Sequence, residues 1–424
     1  LIGNVKYYWL LFIVWPFLSF ILALRRGFNK RFQWIILAFS FLYGYTVFVD
    51  SGDIVRYKQS FYVISDYSWS DYFERINNLY TDFDDLDLEY AVAAAKPDLY
   101  AVTLQFVTSR FTDNPRWFWG LTSVIYTLLF LQMLNAAYSL LGKHKFDFVY
   151  YILLLSLILL IPFYRGVTGV RFYTAFFLFI SQIILFLSTF RKKHIFYASL
   201  SVLIHYTFIF PFIITLPFLF FRSRITKLLI PISLFIFLVT SVSSYFDAFQ
   251  QALSFFDETA IQSSAEGYAS YEGFQKARMS GPSTNWYVEF NYYSFPFMMI
   301  LFYLLEFFLI LKVRDTQESL RFRPLLDVFL VLSLLSYNLS LALFRFSHIF
   351  LVLLLLRYLI IYTHSRDARL KYISIALAPL LFIKVLVTFR AGFYTVDPLL
   401  LVNNVMTSFL VFSDVSLSEW LVGH

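Results

Sequence analysis

The chain has 424 residues, of which 59% are hydrophobic, 22% aromatic and only 14% charged, with a mean hydropathy of +0.68. A soluble domain runs near ~45–50% apolar and ~25% charged, so a soluble enzyme and a disordered chain are excluded. An outer-membrane barrel is excluded too, because its strands alternate apolar and polar residues. The net charge of +7 lies mostly in short loops between apolar runs, the positive-inside pattern rather than a nucleic-acid surface. Cysteine is absent, which removes disulfides, thiolate catalysis and Cys-based metal sites. At roughly 20 apolar residues per crossing, the expected fold is an all-α polytopic membrane protein. It has about 11–13 transmembrane helices in one integral membrane domain over residues 1–424.

In chain order, the first apolar run is Val5–Leu24. It lacks a small-x-small cleavage site after a basic region and reads as an anchor rather than a signal peptide. RRGFNKR at 25–31 is then cytoplasmic, and Trp34–Val49 goes out. Residues 50–115 hold twelve acidic and five basic residues, as suits an outer, periplasmic loop. Asp71–Tyr80 and Glu89–Phe111, the latter interrupted by Pro97, have the apolar spacing of amphipathic interfacial helices. Trp117–Leu141, Phe148–Phe163 and Phe172–Phe190 follow as spans, with GKHK at 142–145 and RKKH at 191–194 on the cytoplasmic side.

Residues 195–221 are apolar throughout and basic on both flanks. Pro211 sits mid-run, where a helix interior is costly to continue. The expectation is a hairpin of two short helices, Ile195–Phe210 and Pro211–Phe221, with its apex outward. Leu228–Phe246 leads to a second outer loop at 247–290. Phe295–Leu311, Leu325–Leu341, Phe344–Tyr362 and Ile373–Thr388 complete the spans, with one more short segment at 398–412.

Polar residues at membrane depth are the informative ones. Most expected at the outer boundary are Asp50, Asp53, Arg165, Arg171, His205, Arg345 and His348, with Lys384 and Arg390 near the end of 373–388. Arginines at outer span ends imply a bound anion or carboxylate partners. In YRGVTGVR (164–171), Gly166 and Gly169 argue for a turn, placing Arg171 at the start of the next span. A helix N-terminus beside an arginine fork suits a diphosphate or carboxylate; the other reading is a structural pair with Asp50 or Asp53. His205 is either a core histidine or a proton-transfer group. Arg345 and His348 are three apart and share a helix face, and Asp53 and Tyr57 are one turn apart. Asp53 could serve as base, sugar-hydroxyl acceptor or helix cap. Glu306 lies inside an apolar run and reads as structural. No Walker A, HExxH, GxSxG or carboxylate–histidine cluster occurs, so neither a nucleotide, a metal nor another cofactor is expected.

Three segments carry a resemblance: DSGDIVRYKQSF at 50–61, GVRFYTAFFLF at 169–179 and LIHYTFIF at 203–210. In order and spacing they resemble the EpsG/Wzy-type polysaccharide polymerases of bacterial inner membranes. One departure is Phe172, where many relatives have a polar glutamine. The resemblance implies a GT-C-like membrane glycosyltransferase, inverting and metal-independent, active at the periplasmic face. It would transfer a growing glycan from undecaprenyl diphosphate to a sugar hydroxyl of a lipid-linked repeat unit. On that reading Arg171, Arg165 and Arg345 hold the diphosphate, and His205 or Asp53 is the base. Asp50, Tyr57 and His348 would contact substrate. The implied partners are the undecaprenyl-diphosphate-linked oligosaccharide and membrane lipid, with a chain-length regulator protein as a further candidate and no nucleic acid. The competing readings are an O-antigen ligase, a flippase or transporter of lipid-linked sugars, and a membrane acyltransferase.

Overall fold

The computed structural model describes residues 4–26, 29–48, 53–78, 99–141, 147–159, 163–220, 232, 235, 297–301, 304, 317–339, 346–365 and 368–423. Among these residues the chain is 84% helical without strands. Four helices are long and apolar enough to cross a membrane: Arg116–Tyr138, Phe172–Thr189, Phe346–His364 and Ala368–Phe393. The second outer loop (247–290), Glu306 and most of the expected spans Leu228–Phe246 and Phe295–Leu311 lie outside the described residues. The chain divides into two compact units, one of residues 1–139, 162–208 and 389–424, the other of 140–161 and 209–388.

The first unit begins with α1 (Val5–Val14) and α2 (Pro16–Leu24). Here the expected single first span is corrected. Trp15 leaves the helical region (φ −147°, ψ 84°) and Pro16 opens the second helix, a position where a missing N–H costs nothing. The Ser19 hydroxyl donates to the carbonyl of Tyr8 at 2.7 Å. Those residues would stand roughly 16 Å apart along one straight helix, so α2 must fold back toward α1. Neither half is long enough to cross a bilayer alone.

Helices α3 (Lys30–Tyr45) and, later, Arg116–Tyr138 pack antiparallel along a seam of small and polar residues. Gln33 and Asn135 exchange amide hydrogen bonds at 2.9 and 3.2 Å. Further along, the Ser40 hydroxyl lies 2.7 Å from the carbonyl of Ser123 and 2.6 Å from Thr127 Oγ1. At the far end Gly44 meets the backbone of Trp119 and Gly120 meets the Phe41 ring. In hydrocarbon there is little hydrophobic gain between helices, so close backbone approach and interhelical hydrogen bonds carry the association.

Between these two helices the chain forms α4 (Asp53–Ser65), α5 (Trp69–Asn78) and α6 (Leu99–Ser109). The expected amphipathic helix at 71–80 is present as α5 over Trp69–Asn78, and the part of the 89–111 segment within the described residues is helical over Leu99–Ser109. The α4–α5 corner is held by Arg110, whose guanidinium donates to the carbonyls of Ile64, Ser65 and Tyr67. The first two are C-terminal carbonyls of α4, which lack intrahelical donors, and the third lies in the link to α5. Tyr72 stacks on Phe106 at 4.2 Å, closing α5 onto α6.

With Arg116–Tyr138 as α7 and Phe148–Leu159 as α8, the chain returns to the first unit at Arg165–Thr168 (α9) and Phe172–Thr189 (α10). The expected turn at 164–171 thus contains one helical turn before the chain bends at Gly169. Fourteen residues of α10 are buried, and Tyr126 and Phe130 of α7 press on Phe177 at 5.0 and 5.1 Å. Lys193–Ser199 (α11) and Ser201–Ile204 (α12) close this stretch. The C-terminal segment is also part of the unit. The carbonyl of Thr395 accepts from the Phe48 amide at 3.0 Å, and that of Leu401 from the Trp15 indole at 2.7 Å. The expected short segment at 398–412 is a 3-10 turn, Pro398–Leu401, and a six-residue helix, Val405–Leu410, too short to cross a bilayer.

The second unit contains α8, α13 (Ile209–Phe220), α14 (Gln317–Leu339), α15 (Phe346–Ser365) and most of α16 (Ala368–Phe393). Nearly all of α15 is buried, and the Tyr362 hydroxyl donates to the Asp147 carboxylate at the start of α8. The break expected at Pro211 falls six residues earlier, at His205. Pro211 lies in the first turn of α13, where its missing N–H has no helical partner to lose.

A Cβ on Gly44 would sit 2.2 Å from the Trp119 carbonyl oxygen, whereas one on Gly120 would meet the Phe41 ring at 2.7 Å. A ring can rotate; a helix backbone cannot. Gly44→Ala is expected to cost about 1–3 kcal/mol and Gly120→Ala less, read as the order of melting temperatures in detergent.

Candidate functional site

The three segments singled out in the sequence converge in the first unit. Their frame is the packing of α4 on α6. Gln105, 1% exposed, donates to the Tyr57 carbonyl at 2.9 Å and accepts from the Ser60 hydroxyl at 3.1 Å. This buried amide fixes the rotation of α4 and so the position of the Tyr57 ring, which also packs on Phe118 at 5.9 Å. Asp53 is the first residue of α4, one turn before Tyr57.

Arg171 is the N-cap residue of α10, and no side chain caps that helix end. Its guanidinium carbon stands 5.9 Å from the Tyr57 ring centroid, at the outer reach of a cation–π contact. The next residue, Phe172, is buried and meets His205 edge-on at 5.6 Å. Tyr57, Arg171, Phe172 and His205 therefore follow one another in space. Arg165 stands six residues before Arg171, on the other side of the bend. Its guanidinium lies 4.9 Å from the Tyr164 ring and 5.8 Å from that of Tyr173. Both arginines are half-buried, with aromatic rings beside part of each charge.

His205 is 4% exposed and sits in a break between helices, with an extended backbone (φ −149°, ψ 111°). The Thr207 backbone N–H donates to His205 Nδ1 at 3.4 Å, and the Thr207 hydroxyl lies 3.0 Å from the same nitrogen. A backbone N–H can only donate, so Nδ1 is the acceptor and the ring proton resides on Nε2. In this tautomer Nε2 carries a hydrogen rather than a basic lone pair.

The remaining sequence candidates fall elsewhere. Asp50 and Arg345 lie outside the described residues. His348 is half-buried in the first turn of α15, in the second unit. Lys384 is 1% exposed and Arg390 is exposed. Among the described residues, no three His, Cys, Asp or Glu side chains form a group able to hold a metal ion.

Three buried charges escaped the sequence reading, Asp397 (3% exposed) among them. The other two are Arg357, 1% exposed on α15, and Asp327, 8% exposed on α14, two helices that pack together. For these two the signal was present as a lone charge within LLLLRYLI and PLLDVFL, the pattern expected of an intramembrane ionisable residue.

A separate cavity of about 240 Å³ also lies in the first unit, lined by Thr46, Lys58, Asn114, Arg116, Trp119 and Asp397, among others. Asp397 accepts from the Leu399 amide at 2.8 Å and the Ser413 amide at 3.1 Å, tying the C-terminal segment together. Burial raises its carboxyl above the ordinary carboxylate value, against the opposing pull of those amides and of Arg116.

No protein-family model, curated protein or solved structure matches the chain.

Asp397→Ala leaves two backbone N–H groups without their acceptor and is expected to cost about 1–3 kcal/mol. Hydrogen exchange should quicken at the Leu399 and Ser413 amides. Because the folded carboxyl titrates above its unfolded value, its pH-dependent contribution favours the fold at acid pH. That contribution is lost as pH rises through the raised value. The stability gap between wild type and Asp397→Ala should therefore widen on acidification.

Proposed function

We propose that the chain is a polysaccharide polymerase, a membrane glycosyltransferase acting on undecaprenyl-diphosphate-linked oligosaccharides at the outer face of a bacterial inner membrane. The observation that carries this reading is the convergence of Tyr57, Arg171 and His205, from three distant segments, at half-buried and buried positions in one unit. The reaction releases a lipid diphosphate, so charge develops on the leaving oxygen as the glycosidic bond breaks. Fixed cations in a partly desolvated place stabilise that charge far better than they would in water. Arg171, at the uncapped N-terminus of α10, and Arg165 across the bend are the groups for this role.

The hydrogen bonding of His205 refines the division of labour. With Nδ1 held by Thr207, Nε2–H serves as a donor to a diphosphate or sugar oxygen. The base that takes the acceptor hydroxyl proton is then Asp53, at the head of α4. Tyr57, one turn along, contributes an aromatic face next to Arg171. The resemblance of the three segments to the EpsG/Wzy-type polymerases supports the same assignment. An O-antigen ligase would use the same donor and the same cations, and differs in its acceptor.

The test is a reconstituted reaction in liposomes with the host's undecaprenyl-diphosphate-linked repeat unit, without nucleotide or added metal. A ladder of products spaced by one repeat unit is expected. Transfer only upon addition of lipid A core would mean ligase, and no covalent product with competent substrate would mean transport. Arg171→Ala should abolish polymer while leaving monodisperse protein; undiminished polymer would remove Arg171 from the site. Asp53→Asn is expected to lose about 10²–10⁴-fold, the usual contribution of a general base. His205→Gln, which keeps an N–H donor, should retain more activity than His205→Ala. If instead the glutamine variant falls as far as Asp53→Asn, His205 is the base.

A further inference from the structure

The cavity beside the C-terminal segment is not part of the Arg171–His205 arrangement, and its lining is rich in donors. Lys58 reaches it from α4, one residue past Tyr57. Lys58 is exposed and has no carboxylate partner among the described residues. Arg116 reaches it from the first position of α7, where the Asn114 side-chain oxygen caps its amide at 3.0 Å. The Arg116 guanidinium stacks on Phe412 at 3.7 Å and donates one N–H to the Tyr45 carbonyl at 3.1 Å. That leaves its other donor groups in a fixed plane at the cavity.

Trp119, one turn along α7, lines the same space. It is 1% exposed and its indole nitrogen is closed to solvent, so it contributes wall rather than a donor. The carboxylate and amide acceptors of the lining are already engaged. Both carboxylate oxygens of Asp397 take backbone N–H groups, and the Asn114 carbonyl oxygen takes the Arg116 amide at 3.0 Å. With Lys58 and Arg116 against Asp397, the lining carries one net positive charge, and the N-terminal end of α7 adds a partial one.

We propose that this cavity binds a single oxyanion, a phosphoryl or carboxylate group on a ligand no larger than one sugar ring, held by Lys58 and Arg116. The size follows from the volume. About 240 Å³ is below the ~300–1,000 Å³ of pockets for drug-sized ligands, and it suits one ring or one phosphate. The aromatic lining of Tyr62, Phe412 and Trp119 offers apolar faces for such a ring, while the donors select its charge. The proposal does not depend on the polymerase reading, because it concerns binding in a cavity that Arg171 and His205 do not line.

The test is direct binding to the purified full-length chain in detergent, by titration calorimetry, with three probes: inorganic phosphate, glucuronate and glucose. Saturable binding of phosphate or glucuronate at least tenfold tighter than glucose is expected. Phosphate ahead of glucuronate assigns a phosphoryl group, and the reverse order assigns a carboxylated sugar. Lys58→Gln, an exposed change that spares the core, should weaken the preferred probe fivefold or more. Arg116→Gln, which removes the guanidinium, should do likewise. Lys371→Gln, the same charge change in the second unit, should leave affinity within twofold. The proposal is overturned if neither anion saturates, if glucose binds as tightly, or if both Lys58→Gln and Arg116→Gln leave affinity unchanged.

Discussion

The first unit depends on one contact, the seam between α3 and α7. Gly44 lets two helix backbones approach so closely that its missing side chain is the condition for the packing. Ser40, Ser123 and Thr127 then close hydrogen bonds across the middle, and Gln33 with Asn135 across the other end. Hydrocarbon provides no hydrophobic drive between two apolar helices, so directional bonds and tight van der Waals contact set the register. Everything that positions the candidate site hangs from α7. Tyr126 supports Gly166 of the one-turn helix, Phe118 supports Tyr57, and Arg116 reaches the cavity near the C-terminal segment.

The candidate site is built from helix ends rather than helix faces. Arg171 stands at the N-cap position of α10, Asp53 opens α4, and His205 occupies the extended residue between α12 and the following 3-10 turn. Helix ends are where backbone groups lack intrahelical partners and where a chain in an apolar medium can present polar groups to a ligand. The aromatic residues around them have a definite part. They exclude water from the arginines on one side, which would strengthen the proposed interaction with an anion on the other. The buried Arg357 and Asp327 are a separate matter. They belong to α15 and α14 in the second unit, where the cost of burying charge favours a paired or hydrogen-bonded role.

Breaks in the helices have local causes that hydropathy does not register. Proline decided one of them and not another. Pro16 starts a helix and permits α1 and α2 to fold together through Ser19 and Tyr8. Pro211 also falls in a first turn, so it does not interrupt the helix it was expected to end. The interruption came instead at His205, where Thr207 offers the imidazole two hydrogen-bonding groups that a continuous helix would have directed elsewhere.

By itself the sequence determined the helical, membrane-embedded class, because sustained apolar runs with basic loops leave no other way to satisfy backbone polar groups in lipid. It also located α7, α10, α15 and α16 to within a few residues, and it marked Tyr57, Arg171 and His205 through three short segments. Only the tertiary structure decided that these three approach one another, since nothing in 57, 171 and 205 encodes proximity until α4, α6 and α10 are packed. The same holds for the cavity at Lys58, Arg116, Trp119 and Asp397, whose members come from separate stretches of chain. Each of those residues is unremarkable along the sequence. Hydropathy averages over windows, and a site assembled from single side chains at helix ends is invisible to any average.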